Sequence, residues 1–152
     1  MFLKTAIALA MLAVAANAAE LSMEQGTVSA GKPVSLSMKL AAAADALTGI
    51  QFDLEYDAVS LDLSVETGPA AKEASKNLQS ARLQPGKLRV LIIGFNRNTI
   101  SDGVLAIVQV SYKGVETGKT FPVHITASSG TNAKAEPIAV TAKDGSVRVE
   151  KR

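Results

Sequence analysis

Apolar and polar residues alternate along most of this chain beyond residue 30. Val34, Leu36, Met38 and Leu40 fall in one phase, with Ser35, Ser37 and Lys39 in the other. Side chains of an extended strand point to its two faces in turn, so this pattern predicts a strand with one buried face, entered from the turn signal Gly31-Lys32-Pro33. Ile50, Phe52, Leu54 and Tyr56 repeat the pattern, which sends Gln51, Asp53, Glu55 and Asp57 outward. From Lys87 to Phe95 both phases are apolar, with Val90 and Ile92 in one and Leu91, Ile93 and Phe95 in the other. Between Gly103 and Gly114, Val104, Ala106, Val108, Val110 and Tyr112 form one stripe, and Leu105, Ile107, Gln109 and Ser111 the other. Phe121, Val123 and Ile125 alternate with Pro122, His124 and Thr126, and the proline predicts an edge strand. Ile138–Ala142 and Ser146–Val149 flank Lys143-Asp144-Gly145, a hairpin-type turn. The stretch Gly68–Gln84, rich in Ala, Lys, Ser and Gln, fits one or two helical turns or a long surface loop.

Helical periodicity is nearly absent from these segments. Short alternating strands between turn residues predict an all-β chain, a β-sandwich or jelly roll, and exclude an α/β sheet.

The N-terminus follows other rules. Met1-Phe2-Leu3-Lys4 is a short basic start, and Thr5–Ala19 runs without a charge to the small-residue site Ala16-Asn17-Ala18. A membrane helix needs about 20 apolar residues, whereas a secretory signal needs about 7 to 15 before its cut. Residues 1–18 are therefore predicted to be a signal peptide cleaved after Ala18, with Ala19 an almost equal second choice. The mature chain, 19–152, is one domain of a size that buries a core without disulfides or metal. Its destination is secreted or periplasmic, and no further apolar run would hold it in a bilayer after cleavage.

Composition narrows the chemistry. The chain has no cysteine, which removes disulfides, thiol catalysis and Cys-type zinc sites. Of 16 basic and 14 acidic residues, 16 − 1 = 15 basic ones remain once Lys4 is cleaved, and they are scattered, which argues against nucleic acid. His124 is the only histidine, no nucleophile elbow or phosphate-binding glycine loop occurs, and Asp53, Glu55 and Asp57 lack the spacing of an EF-hand. No catalytic residue, metal ligand or cofactor site is expected, and the chain does not read as an enzyme.

Three blocks in order resemble the cohesin domain, the receptor module for dockerins in cellulosome-type assemblies. They are Gly49-Ile50-Gln51-Phe52-Asp53-Leu54-Glu55-Tyr56-Asp57 with Leu61, then Gly86–Ile93 followed by Ser101-Asp102-Gly103-Val104-Leu105-Ala106, and finally Asp144-Gly145-Ser146-Val147-Arg148-Val149. Ala58 stands where the family has proline after Tyr-Asp, and Gly49 and Gln51 stand where many dockerin-binding members carry Asn and Asp. The resemblance implies a flattened jelly-roll sandwich of about nine strands. It also implies a partner docked on one sheet face by the strands around residues 49–57, 88–95 and 104–111.

Alternation selects Gln51, Asp53, Glu55, Leu91, Ile93, Ile107 and Gln109 as the outward side chains of those strands, an apolar centre with acidic edges suited to a protein interface. An alternative is that Gly68–Gln84 folds over Leu91, Ile93 and Ile107 as a second small core. The expected function is a secreted, non-catalytic module binding a dockerin-like protein, in a setting of extracellular polysaccharide degradation. The alternative is a carbohydrate-binding module of the same fold, for which Phe95 is the one outward aromatic and Trp is absent.

Overall fold

The computed structural model describes residues 19–42 and 46–151; the predicted signal peptide, 1–18, lies outside the described residues. Eleven strands and one short helix follow in order: β1 (Ala19–Met23), β2 (Gln25–Val28), β3 (Val34–Ala41), β4 (Leu47–Glu55), β5 (Leu61–Thr67), α1 (Pro69–Glu73), β6 (Asn77–Gln84), β7 (Lys87–Ile93), β8 (Gly103–Tyr112), β9 (Thr120–Asn132), β10 (Pro137–Lys143) and β11 (Gly145–Val149). Among the described residues no helix is long and apolar enough to cross a membrane.

Nine strands hydrogen-bond in the order β5-β8-β3-β1-β10-β9-β4-β7-β6, and β11 joins β2 to β9. The path folds into two layers, β5-β8-β3-β1 and β10-β9-β4-β7-β6, and the expected all-β sandwich is the fold observed. Its core holds most of the inward phases predicted from alternation, with one correction: Leu105, assigned to the other stripe of β8, is buried, and Val104 only half-buried, where a register shift between Met38↔Ala106 and Lys39↔Val104 leaves Leu105 unpaired in the ladder. Leu36, Met38, Ala106, Val108 and Val110 of one layer belong to one buried cluster with Ile50, Phe52, Leu54, Val90 and Ile92 of the other. Each large apolar side chain so buried contributes about 1.5–3 kcal/mol.

Three local expectations are corrected. Lys143-Asp144-Gly145 is not a hairpin, because β10 and β11 pair with different stretches of β9 rather than with each other. Pro122 does not mark an edge strand, because β9 is central and pairs with β4, β10 and β11. The proline sits opposite Ser146 of β11, at a part of β9 that the β4 pairing does not reach, so its missing N–H breaks no ladder there. Gly68–Gln84 divides into α1, which buries Ala70 and Ala71, and β6, which pairs with β7 from Asn77↔Ile93 to Gln84↔Lys87.

β6 is an edge strand exposed over most of its length, so no apolar alternation announced it. The outer strands of the two layers approach each other where Arg82 of β6 meets Asp62 of β5 at 3.3 Å.

Candidate functional site

The outer face of the β6-β7-β4-β9 layer is built from cross-strand rows, since directly paired residues share a face. One row runs Gln79-Leu91-Gln51-Ser129 and the next Ala81-Arg89-Asp53-Thr126. A third places Glu55 between Lys87 and His124. At the other end Ile93 pairs with Asn77, and Gly49 with Thr131. Gln51, Glu55, Leu91 and Ile93 thus share one face, as expected. Leu91 is half-buried and Ile93 is 42% exposed; neither α1 nor β6 covers them, because β6 extends the sheet beside β7 and α1 packs on β8.

Ile107 and Gln109 do not belong to this face. They sit on β8, in the other layer, where Ile107 pairs with Ser37 and Glu66, and Gln109 with Ser35 and Ser64. Alternation placed them correctly on an outward phase, but the segment 94–102 carries the chain from one layer to the other between β7 and β8.

Asp53 is the second correction. It is in the outward phase of β4 yet has no exposed surface. Arg89, opposite it on β7, donates from Nε to Oδ1 at 2.9 Å and from Nη2 to Oδ2 at 3.1 Å. Hydrogen bonding to Asp53, and then its charge, raise the guanidinium pKa above its ordinary value. A carboxylate fully taken up in this way cannot meet a partner; what reaches solvent is the guanidinium, whose side chain is 42% exposed.

Beside this pair, toward Gly49 and Ile93, lies a shallow dish of about 160 Å³ lined by Gly49, Gln51, Leu91, Ile93, Ser129 and Thr131. Gly49 makes the space: a Cβ there would stand 3.1 Å from Thr131 Oγ1 and 3.3 Å from Ile93 Cγ2. A bulge in β9 shapes the same wall. Three residues of β4, Gln51 to Asp53, lie opposite four of β9, Ser129 to Thr126, and Ala127 takes a left-handed φ of 49°. The bulge brings Thr126 and Ser129, three apart in sequence, to one face, which simple alternation forbids.

Phe95 stands fully exposed beyond Ile93, on a loop tied down by its neighbours. Lys76, almost wholly buried, donates from Nζ to Asn96 O at 3.2 Å and Oδ1 at 2.6 Å, and Asn98 Nδ2 donates to Ala74 O at 3.2 Å. Burial lowers the Lys76 pKa. His124 is on the surface, as expected, with Nδ1 2.8 Å from Asp144 Oδ2; an ionised carboxylate only accepts, so the ring nitrogen carries the proton. Among the described residues no cluster of three or more acidic or histidine side chains could hold a metal ion.

Sequence reasoning missed Arg89, Ser129 and Thr131 as parts of the face. Lys87-to-Phe95 alternation put Arg89 outward, but only the register shows that it closes on Asp53.

The cohesin domain profile matches residues 19–149. No curated protein matched the chain. Several solved structures share its fold. The sixth cohesin of scaffoldin B from Acetivibrio cellulolyticus, in complex with a Cel5 dockerin mutant, superposes with a TM-score of 0.77 at 24% identity, covering 88% of this chain and 99% of that one. The cohesin of the Coh-OlpC–Doc435 complex from Clostridium thermocellum gives 0.75 at 20% identity, with 89% and 95% covered. A non-cellulosomal cohesin from the archaeon Archaeoglobus fulgidus gives 0.73 at 15%, with 88% and 92% covered. With its profile match running from the first residue of β1 to the last of β11, the chain belongs to the cohesin domain family.

Proposed function

We propose that the protein is an exported, non-catalytic module that docks a protein partner of dockerin type on the outer face of the β6-β7-β4-β9 layer. The observation that carries this is the dish itself. Leu91 and Ile93 leave apolar surface uncovered on the outer face of the sheet, rimmed by Gln51, Ser129 and Thr131. Apolar surface framed by polar groups is the anatomy of a protein interface, and the family membership supplies the kind of partner. Work in extracellular polysaccharide breakdown follows from that partner class.

Export draws support from the sequence of residues 1–18 and from Ala19, which is fully buried and paired with Val140. Cleavage after Ala18 leaves β1 whole. Carbohydrate binding has one observation in its favour, the exposed ring of Phe95. Among the described residues it is the only fully exposed aromatic, and one ring does not make a stacking platform.

Calorimetric titration of the protein with the dockerin modules encoded in the same genome tests the proposal. At least one is expected to bind, and Leu91→Asp to abolish that binding. Failure of every module to bind, or equal binding by Leu91→Asp, would overturn it.

A further inference from the structure

We infer that the partner surface seated on this face pairs one apolar side chain with a carboxylate, the first entering the dish beside Gly49 and the second meeting Arg89. This rests on the docking function proposed above and specifies the partner's chemistry.

Size and lining fix the first element. A dish of about 160 Å³ with Leu91, Ile93 and the bare Cα of Gly49 as its apolar surface takes one side chain of leucine or phenylalanine size. An apolar cavity of about 150 Å³ accommodates a benzene ring.

Hydrogen-bond accounting fixes the second. A guanidinium has five N–H donors. Asp53 takes two of them, one at Nε and one at Nη2, and among the described residues Nη1 has no hydrogen-bond partner. A partner that covers Arg89 strips water from the remaining donors and must replace it with acceptors, or leave a charged group unsatisfied. Asp53 cannot serve a partner's cation, because both its oxygens are taken and none of its surface is exposed. One row farther, Lys87 and Glu55 stand opposite each other and offset in charge. Asp53 already balances the charge of Arg89, so the local demand is for acceptors on its remaining N–H donors, and a carboxylate supplies two oxygens in the geometry a guanidinium edge matches.

Spacing links the two. Leu91 and Arg89 are two residues apart on β7, about 7 Å along the strand. Residues i and i+3 or i+4 of a helix lie about 5–6 Å apart, close to that spacing, and long Arg and Glu side chains make up the difference, so a partner helix laid along β7 can present an apolar residue to Leu91 and an Asp or Glu to Arg89.

Selection from a displayed library of three-helix domains, with one face randomised, tests the inference against the protein. Clones that lose binding to Leu91→Asp are the dish binders. They are expected to carry Asp or Glu three or four positions from an apolar anchor. Their affinity should fall about tenfold or more for the Asp53→Asn/Arg89→Gln double variant. Changing the clone's own Asp to Asn or Glu to Gln should cost the same, a comparison that leaves this protein unaltered. Dish binders without an acidic residue, or with affinity unmoved by both changes, would overturn the inference and leave the docking face standing. Absence of any Leu91-dependent clone would instead overturn the docking function on which it rests.

Discussion

Arg89 closes on both carboxylate oxygens of Asp53, at 2.9 and 3.1 Å, and the carboxylate it covers lies in the solvent-facing phase of β4 with no exposed surface. An acid that alternation assigns to the surface is thereby withdrawn from it, and the face turns from acid-edged to one that offers donors. Removing Arg89 alone leaves a buried charge without its partner, whereas removing both charges does not. Arg89→Gln is expected to lower the melting temperature measured by circular dichroism, and Asp53→Asn/Arg89→Gln to recover most of the loss. Additive losses would show that the two side chains are not coupled.

Gly49 keeps the dish open, and a larger residue there fills it from below. Gly49→Ala adds a Cβ 3.1 Å from Thr131 Oγ1 and 3.3 Å from Ile93 Cγ2, so both side chains must give by a few tenths of an ångström and the floor of the dish rises. Partner affinity, read by calorimetry, should fall about tenfold or more, with circular dichroism confirming that the variant remains folded. Unchanged affinity would mean that the dish takes no part in docking.

Asp144 supplies the pH dependence. Hydrogen bonds from His124 and from the Ile125 N–H hold its carboxyl below the ordinary 3.8. The folded protein binds that proton less readily than the unfolded chain does. The stabilisation is therefore present above the ordinary value and lost as pH falls through the lower, folded one. The urea midpoints of the protein and of Asp144→Asn should differ at about pH 5 and converge toward pH 2. A difference that persists unchanged at acid pH would contradict this assignment.

The proposed export is tested by N-terminal sequencing of protein recovered from the culture medium or periplasm, which should begin at Ala19. A start at Glu20 would remove the fully buried Ala19 and its pairing with Val140, and would contradict a cut that preserves β1.

Much of this fold was legible in the alternation of its inner strands. Phe52, Leu54, Val90 and Val108 are each buried as their phase required, because a sandwich core imposes period two on the strands that line it. β6 was not legible, since an exposed edge strand has no such constraint. Long-range register was not legible either, and it decides the site. Nothing local in the sequence says that Asp53 faces Arg89, that a bulge at Ala127 realigns Ser129, or that the loop after Ile93 sends Ile107 to the opposite layer.

That separation of layers makes the most direct measurement possible. Leu91 and Ile107 are both apolar, half-buried and outward, but on opposite faces of the sandwich. The affinity of one bound dockerin module should be measured for Leu91→Asp and for Ile107→Asp, with melting temperatures confirming that both variants fold. Docking on the β6-β7-β4-β9 face predicts a loss of about 100-fold or more for Leu91→Asp, since a carboxylate would be buried at the contact, and no change for Ile107→Asp. Loss on Ile107→Asp with Leu91→Asp unaffected would place the partner on the other layer and contradict it.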